Sequence, residues 1–148
     1  MKRMPSPSEP VLDFIRLMWA VDHELQRVSK RMVGRFGLTA PQRLAVRFIG
    51  RTPSLTLGEL ARLLHMHPGT VTGIVKRLED AGFVARERST EDTRRVHLSL
   101  TAAGRLLNRR RAGTVEAAVR RALAHLSDEQ MAVASDLMRR LARELADE

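Results

Sequence analysis

HPGTVTGIVKRLEDAGFVARERSTEDTRRVHLSLT, from His67 to Thr101, is the stretch whose reading decides the fold. In its first half a proline stands where a helix begins. Val71, Ile74, Val75 and Leu78 then recur at steps of three and four, and Gly82 follows. That is the pattern of a short amphipathic helix starting at His67 or Pro68 and closing on a left-handed glycine. In the second half the period changes to two. Phe83 to Arg88 and Arg94 to Leu100 alternate, with Val96, Leu98 and Leu100 on one side and His97 and Ser99 on the other. Ser-Thr-Glu-Asp-Thr between the two runs predicts a hairpin turn.

The helix leaves Gly69, Thr70, Thr72, Gly73, Lys76 and Arg77 outward, a face that is small, hydroxylated and basic. Such a face suits the major groove of double-stranded DNA, where small residues allow close approach and hydroxyls and cations reach phosphates or base edges. An ordinary solvated face has the same composition, so the alternative stays open. Arg86, Arg88, Arg94 and Arg95 sit near the hairpin tip, and an arginine there can enter a narrow minor groove. The bland counterpart is an edge hairpin charged to discourage strand addition. Gly73 costs about 1 kcal/mol relative to alanine in a helix interior, which points to close backbone approach rather than base readout. His67 takes an N-cap place where Ser, Asp or Asn is more usual, making it a candidate phosphate contact or protonation-sensitive group.

Working outward, Thr56-Leu-Gly-Glu59 is a capping box that opens a helix buried through Leu57, Leu60, Ala61 and Leu64 and closed by His65 and Met66. With the following helix it makes a helix-turn-helix, and Thr56 is counted among the DNA-facing residues. Thr39-Ala-Pro-Gln42 opens another helix running to the Gly50–Ser54 turn. Before it, apolar residues from Val11 to Phe36 fall on one face of a long helix that Gly37 ends. That helix has more apolar surface than one small domain hides, which predicts a second copy of the chain against it. Beyond the hairpin, Thr101 is expected to cap a single helix over 101 to about 125. Ser127-Asp-Glu-Gln130 opens the last helix. The expected organisation is a flexible tail at 1–10, a winged helix-turn-helix at 38–101, and a helical dimerisation region formed by 11–37 and 102–148. The fold class is mainly α with a small β-hairpin wing.

The 148 residues carry a formal charge of +9 and no cysteine. The charge favours a polyanionic partner, and the lack of cysteine excludes disulfide scaffolds and thiol chemistry. Residues 56–101 hold seven Lys/Arg against six Asp/Glu. The cations of this segment therefore act by placement, not by bulk charge.

The long first helix, TVTGIVKRLEDAGFV, the Asp92-Thr-Arg94 triplet and Leu100-Thr-Ala-Ala-Gly104 together resemble the MarR family of winged-helix transcriptional regulators, over about residues 10 to 145. The resemblance implies a homodimer with interleaved terminal helices, in which 68–81 enters the major groove and Arg94 the minor groove. It also implies that Asp92 braces the wing arginines, that Thr101 caps the next helix and that Gly104 permits close packing. By position, a small aromatic or anionic effector would lie against Trp19, His23, Arg43, Arg47 and Met66. The competing reading places Trp19 in the dimer core and leaves Arg43 and Arg47 solvated.

The closest histidine pair, His65-x-His67, lacks the convergent partners of a zinc site, and no nucleophile, nucleotide loop or carboxylate pair stands out. The sequence therefore points to no metal, no cofactor and no enzyme. No apolar leader or spanning segment is visible, so a cytoplasmic protein without a membrane partner is expected. The function these observations favour is a homodimeric repressor acting on a pseudo-palindromic operator and released by a ligand. The alternative is an architectural or anti-repressing DNA-binding protein without an effector.

Overall fold

A computed structural model describes residues 9–148. The tail expected at 1–10 lies outside the described residues up to position 8, and Pro10 already belongs to the first helix. The element order is α1 (Pro10–Phe36), α2 (Ala40–Arg51), α3 (Leu57–Leu64), α4 (Pro68–Asp80), β1 (Val84–Arg88), β2 (Val96–Leu100), α5 (Ala102–Arg109), α6 (Val115–Leu123) and α7 (Asp128–Ala146). The chain divides into two compact units at Val115 and Glu116.

The helix boundaries of the first unit follow from local chemistry. Gly37 adopts the left-handed conformation and its N–H closes on Val33 O. Thr39 with Gln42, and Thr56 with Glu59, form complete capping boxes. The end of α4 is a Schellman motif: Gly82 N–H bonds Glu79 O and Phe83 N–H bonds Leu78 O, at 2.9 Å each, with Gly82 at φ 78°. The same pair of bonds ends α3 through His65 and Met66, with His65 in the left-handed region at φ 51°.

Around these caps the apolar stripes converge. Leu38, Val46, Ile49, Leu55, Leu60, Val71, Val75 and Leu78 from the helices meet Val84, Leu98 and Leu100 from the hairpin in one core. The strands pair antiparallel with Val84 opposite Leu100 and Arg88 opposite Val96. Leu98 N–H also bonds Leu55 O at 2.7 Å, which attaches the hairpin to the turn before α3.

One expected element is two. In place of a single helix over 101–125, α5 stops at Arg109, the backbone extends at Arg110, Gly113 turns with φ +79° and α6 begins at Val115. The physical reason lies in α2. The buried guanidinium of Arg43 donates to the carbonyls of Leu107 (2.6 Å), Asn108 (3.3 Å) and Arg110 (2.5 Å), and Arg47 donates to Asn108 O and Oδ1. Side-chain donors thus join the Arg110 N–H, which bonds Leu107 O at 3.1 Å, in satisfying the carbonyls at the end of α5.

In the first unit α1 buries only Met32 in the described structure, and Val11, Leu17, Trp19 and Val21 remain exposed. The second unit holds most of α6 and all of α7. Neither helix has a buried residue, and Val133, Met138 and Leu145 of α7 are exposed. Among the described residues no helix is long and apolar enough to cross a membrane.

Candidate nucleic-acid interface

Helix α4 buries Val71, Val75 and Leu78 and turns Gly69, Thr70, Thr72, Gly73, Lys76 and Arg77 to solvent. Its start is set by His67, whose Nδ1 accepts the Gly69 N–H at 3.0 Å. A neutral imidazole accepting at Nδ1 carries its proton on Nε2, so the cap retains one N–H donor. A Cβ at Gly69 would press on the His67 ring at 3.2 Å, whereas one at Gly73 would meet nothing within 4 Å. A side chain at position 69 would thus need the His67 ring to give by a few tenths of an ångström, and Gly73 leaves bare backbone on an open face. Thr72 donates its hydroxyl proton to Pro68 O at 2.9 Å, leaving the oxygen as acceptor and the methyl for contact.

The wing tip is bonded to itself. Ser89 Oγ accepts the amides of Glu91 and Asp92, and Ser89 N–H bonds Arg95 O. Asp92 Oδ1 accepts the Arg94 N–H at 3.0 Å, its carbonyl accepts the Arg95 N–H at 2.9 Å, and its carboxylate lies 3.9 Å from Arg95 Nε. A single acidic residue therefore shapes the backbone that carries both arginines, with Arg94 exposed on it. Arg86 differs from its neighbours: Nε donates to Glu79 Oε1 at 2.9 Å, joining the base of the wing to the last turn of α4.

The structure redistributes several expected roles. Thr56 is occupied by its own cap, accepting the Glu59 N–H and donating to Glu59 Oε2. The Thr56 backbone N–H, and then its hydroxyl, hold the Glu59 carboxyl below the ordinary glutamate range. Of the residues expected to line an effector site, Arg43 is 2% exposed and serves the end of α5, where Arg47 joins it. Burial of Arg43 departs from the solvated alternative as well, because the carbonyl cluster is 64 residues away in sequence and leaves no local signal. Met66 packs against the core of the winged unit, and Trp19 and His23 are exposed on α1. None of the five lines either of two grooves beside the wing, of about 620 and 420 Å³.

Two residues of this surface carried no expectation from sequence. Glu79 and Asp80 each hold a cation, Glu79 the Arg86 side chain and Asp80 the Lys76 ammonium, at 3.3 Å. The four-residue spacing of Lys76 and Asp80 is the signal that could have found the second pair.

The MarR family model matches residues 38–96. The HTH-type transcriptional repressor Rv2887 of Mycobacterium tuberculosis is 35% identical over 114 residues, covering 77% of this chain and 82% of the relative. The chain belongs to the MarR family. Another relative is the organic hydroperoxide resistance transcriptional regulator of Bacillus subtilis, 35% identical over 91 residues and covering 62% of each chain. Among solved MarR-like structures, Streptococcus pneumoniae FabT in complex with DNA superposes with a TM-score of 0.69 at 27% identity, covering 93% of this chain and 98% of that one. The Rv2887 complex with p-aminosalicylic acid gives 0.57 at 32% identity, covering 85% and 95%.

Proposed function

We propose that this protein is a homodimeric transcriptional repressor that reads a pseudo-palindromic DNA operator with α4 and the wing. The observation that carries the reading is the pairing of an open α4 face, Gly69 to Arg77, with a wing whose Asp92 presents Arg94 to solvent. FabT, solved with DNA, supports this assignment through its likeness in fold and sequence. In this reading Thr70, Thr72 and Lys76 face base edges, Arg77, Arg88 and the His67 cap face phosphates, and Arg94 enters the minor groove. Arg95 stays with Asp92 and Arg86 with Glu79, so both shape the wing. The protein acts in the cytoplasm on chromosomal DNA and performs no catalytic step.

A small aromatic or anionic effector releases the repressor by favouring a spacing of the two reading lobes that no longer matches successive major grooves, about 34–36 Å apart. The Rv2887 complex with p-aminosalicylic acid, an aromatic anion, supports that ligand class. Trp19 and His23 remain its candidate contacts, whereas Arg43 is withdrawn because its guanidinium is buried against backbone carbonyls.

The test is selection of genomic fragments by the purified protein, followed by anisotropy titration over a range of salt. A few sharp palindromic sites support the repressor, and a broad A·T-rich spectrum would favour an architectural protein. Arg94→Ala should weaken operator binding by about ten- to a hundredfold and flatten the salt dependence, by roughly 0.9 in log-log slope for each phosphate no longer neutralised. Unchanged affinity and slope would remove the wing from the interface.

A further inference from the structure

Gly69, Gly73, Lys76 and Asp80 succeed one another at steps of four, three and four, and so lie along a single line of the exposed α4 face. The first two leave bare backbone, the third is a cation and the fourth an anion. Lys76 Nζ lies 3.3 and 3.4 Å from the two oxygens of Asp80, and both side chains are exposed. The fold has no evident use for this carboxylate. Asp80 occupies the last helical position, where the negative end of the helix dipole disfavours an anion, and the hydrogen bonds its side chain accepts come from Lys76.

We propose that Asp80 is a specificity-determining residue. It holds the Lys76 ammonium as half of a neutral pair, so that the side chain engages neutral base-edge acceptors in preference to phosphates. The inference rests on the DNA reading given above. An ammonium has three donors, and a carboxylate partner leaves others for a guanine O6 or N7 in the major groove. A neutral acceptor tolerates the adjacent carboxylate. A phosphate is repelled by it, and must either open the pair or accept an anion beside it. The sequence-independent part of binding comes almost wholly from phosphates, so a cation masked in this way contributes to recognition while adding little to general adhesion. The near balance of charge in residues 56–101 fits a reading surface restrained in this manner.

The experiment compares the wild-type chain, Asp80→Asn, Lys76→Ala and the double variant on two probes, a genomic fragment recovered by selection and a mixed-sequence duplex of equal length, across salt concentrations. Melting temperatures verify that all four are folded. Asp80→Asn should tighten the mixed-sequence duplex by about three- to tenfold. It should also steepen the salt slope by roughly 0.9 for each additional phosphate neutralised, and improve the selected fragment less. In the Lys76→Ala background the gain should vanish. Unmoved mixed-sequence binding, an equal gain on both probes, or a gain that persists without Lys76 would overturn the proposal. Absence of salt-dependent binding by the wild-type chain to any duplex would overturn the underlying DNA reading, and the proposal with it.

Discussion

Arg43 shows how one side chain can end a helix from a distance. Its guanidinium is buried and gives donors to the carbonyls of Leu107, Asn108 and Arg110 at the end of α5, of which Leu107 O also accepts the Arg110 N–H. Leaving buried carbonyls unsatisfied costs about 1–3 kcal/mol each, and losing a buried charge network costs more than a surface pair. Arg43→Met, which keeps the apolar stem, should therefore destabilise the protein by about 2–4 kcal/mol. Urea denaturation checks this, and a midpoint within a few tenths molar of wild type would show that the carbonyls find other partners. Arg43→Lys should recover only part of the stability, because one ammonium cannot reproduce the planar fork of a guanidinium.

At the scale of elements, Gly104 decides whether α5 can lie where it does. A Cβ there would collide with the Phe83 carbonyl oxygen, which already accepts the Thr101 N–H, while Thr101 Oγ1 donates to Gly82 O at 2.5 Å and accepts the Gly104 N–H at 3.1 Å. Gly104→Ala should cost about 2–4 kcal/mol by forcing α5 off the α4–β1 corner. Ala103→Gly on the exposed neighbouring position should cost about 1 kcal/mol from helix propensity alone. Equal melting temperatures for the two variants would show that the corner yields. Elements with such local signatures were legible from sequence: the capping boxes at Thr39, Thr56 and Ser127, the Gly37 and Gly82 stops, and the period-two strands all lie where their residues place them. The break after Arg109 was not. Leu107, Val115, Val119 and Leu123 keep steps of eight and four, which a continuous helix satisfies, and Gly113 was the one local hint against it. Likewise the candidate surface was legible as a face, because helical spacing sets which residues share a side. Which of its cations are already paired depended on Glu79 and Arg86 meeting across the turn from α4 into β1.

For the whole molecule, the uncovered apolar faces bear on assembly. Trp19, at 73% exposure, and its neighbours on α1 are too apolar to remain in water, and α7 presents its own set in the second unit. In the proposed homodimer these faces are covered. Sedimentation equilibrium should then give twice the 16.7 kDa of one chain. Trp19→Glu should weaken the association by at least about tenfold, since an anion would be desolvated in the interface. A wild-type monomer at micromolar concentration would refute the assembly and, with it, a palindromic operator. The Leu98 N–H to Leu55 O bond has a consequence of another kind. It spans the chain from the start of α3 to the outgoing strand of the wing, so the amide of Leu98 can meet solvent only when hairpin and helical core part. In deuterium oxide the Leu98 proton should exchange thousands of times more slowly than those of Glu91 and Thr93 at the tip, at a rate that approaches global opening. That one amide makes the root of the wing a clock for the stability of the winged lobe.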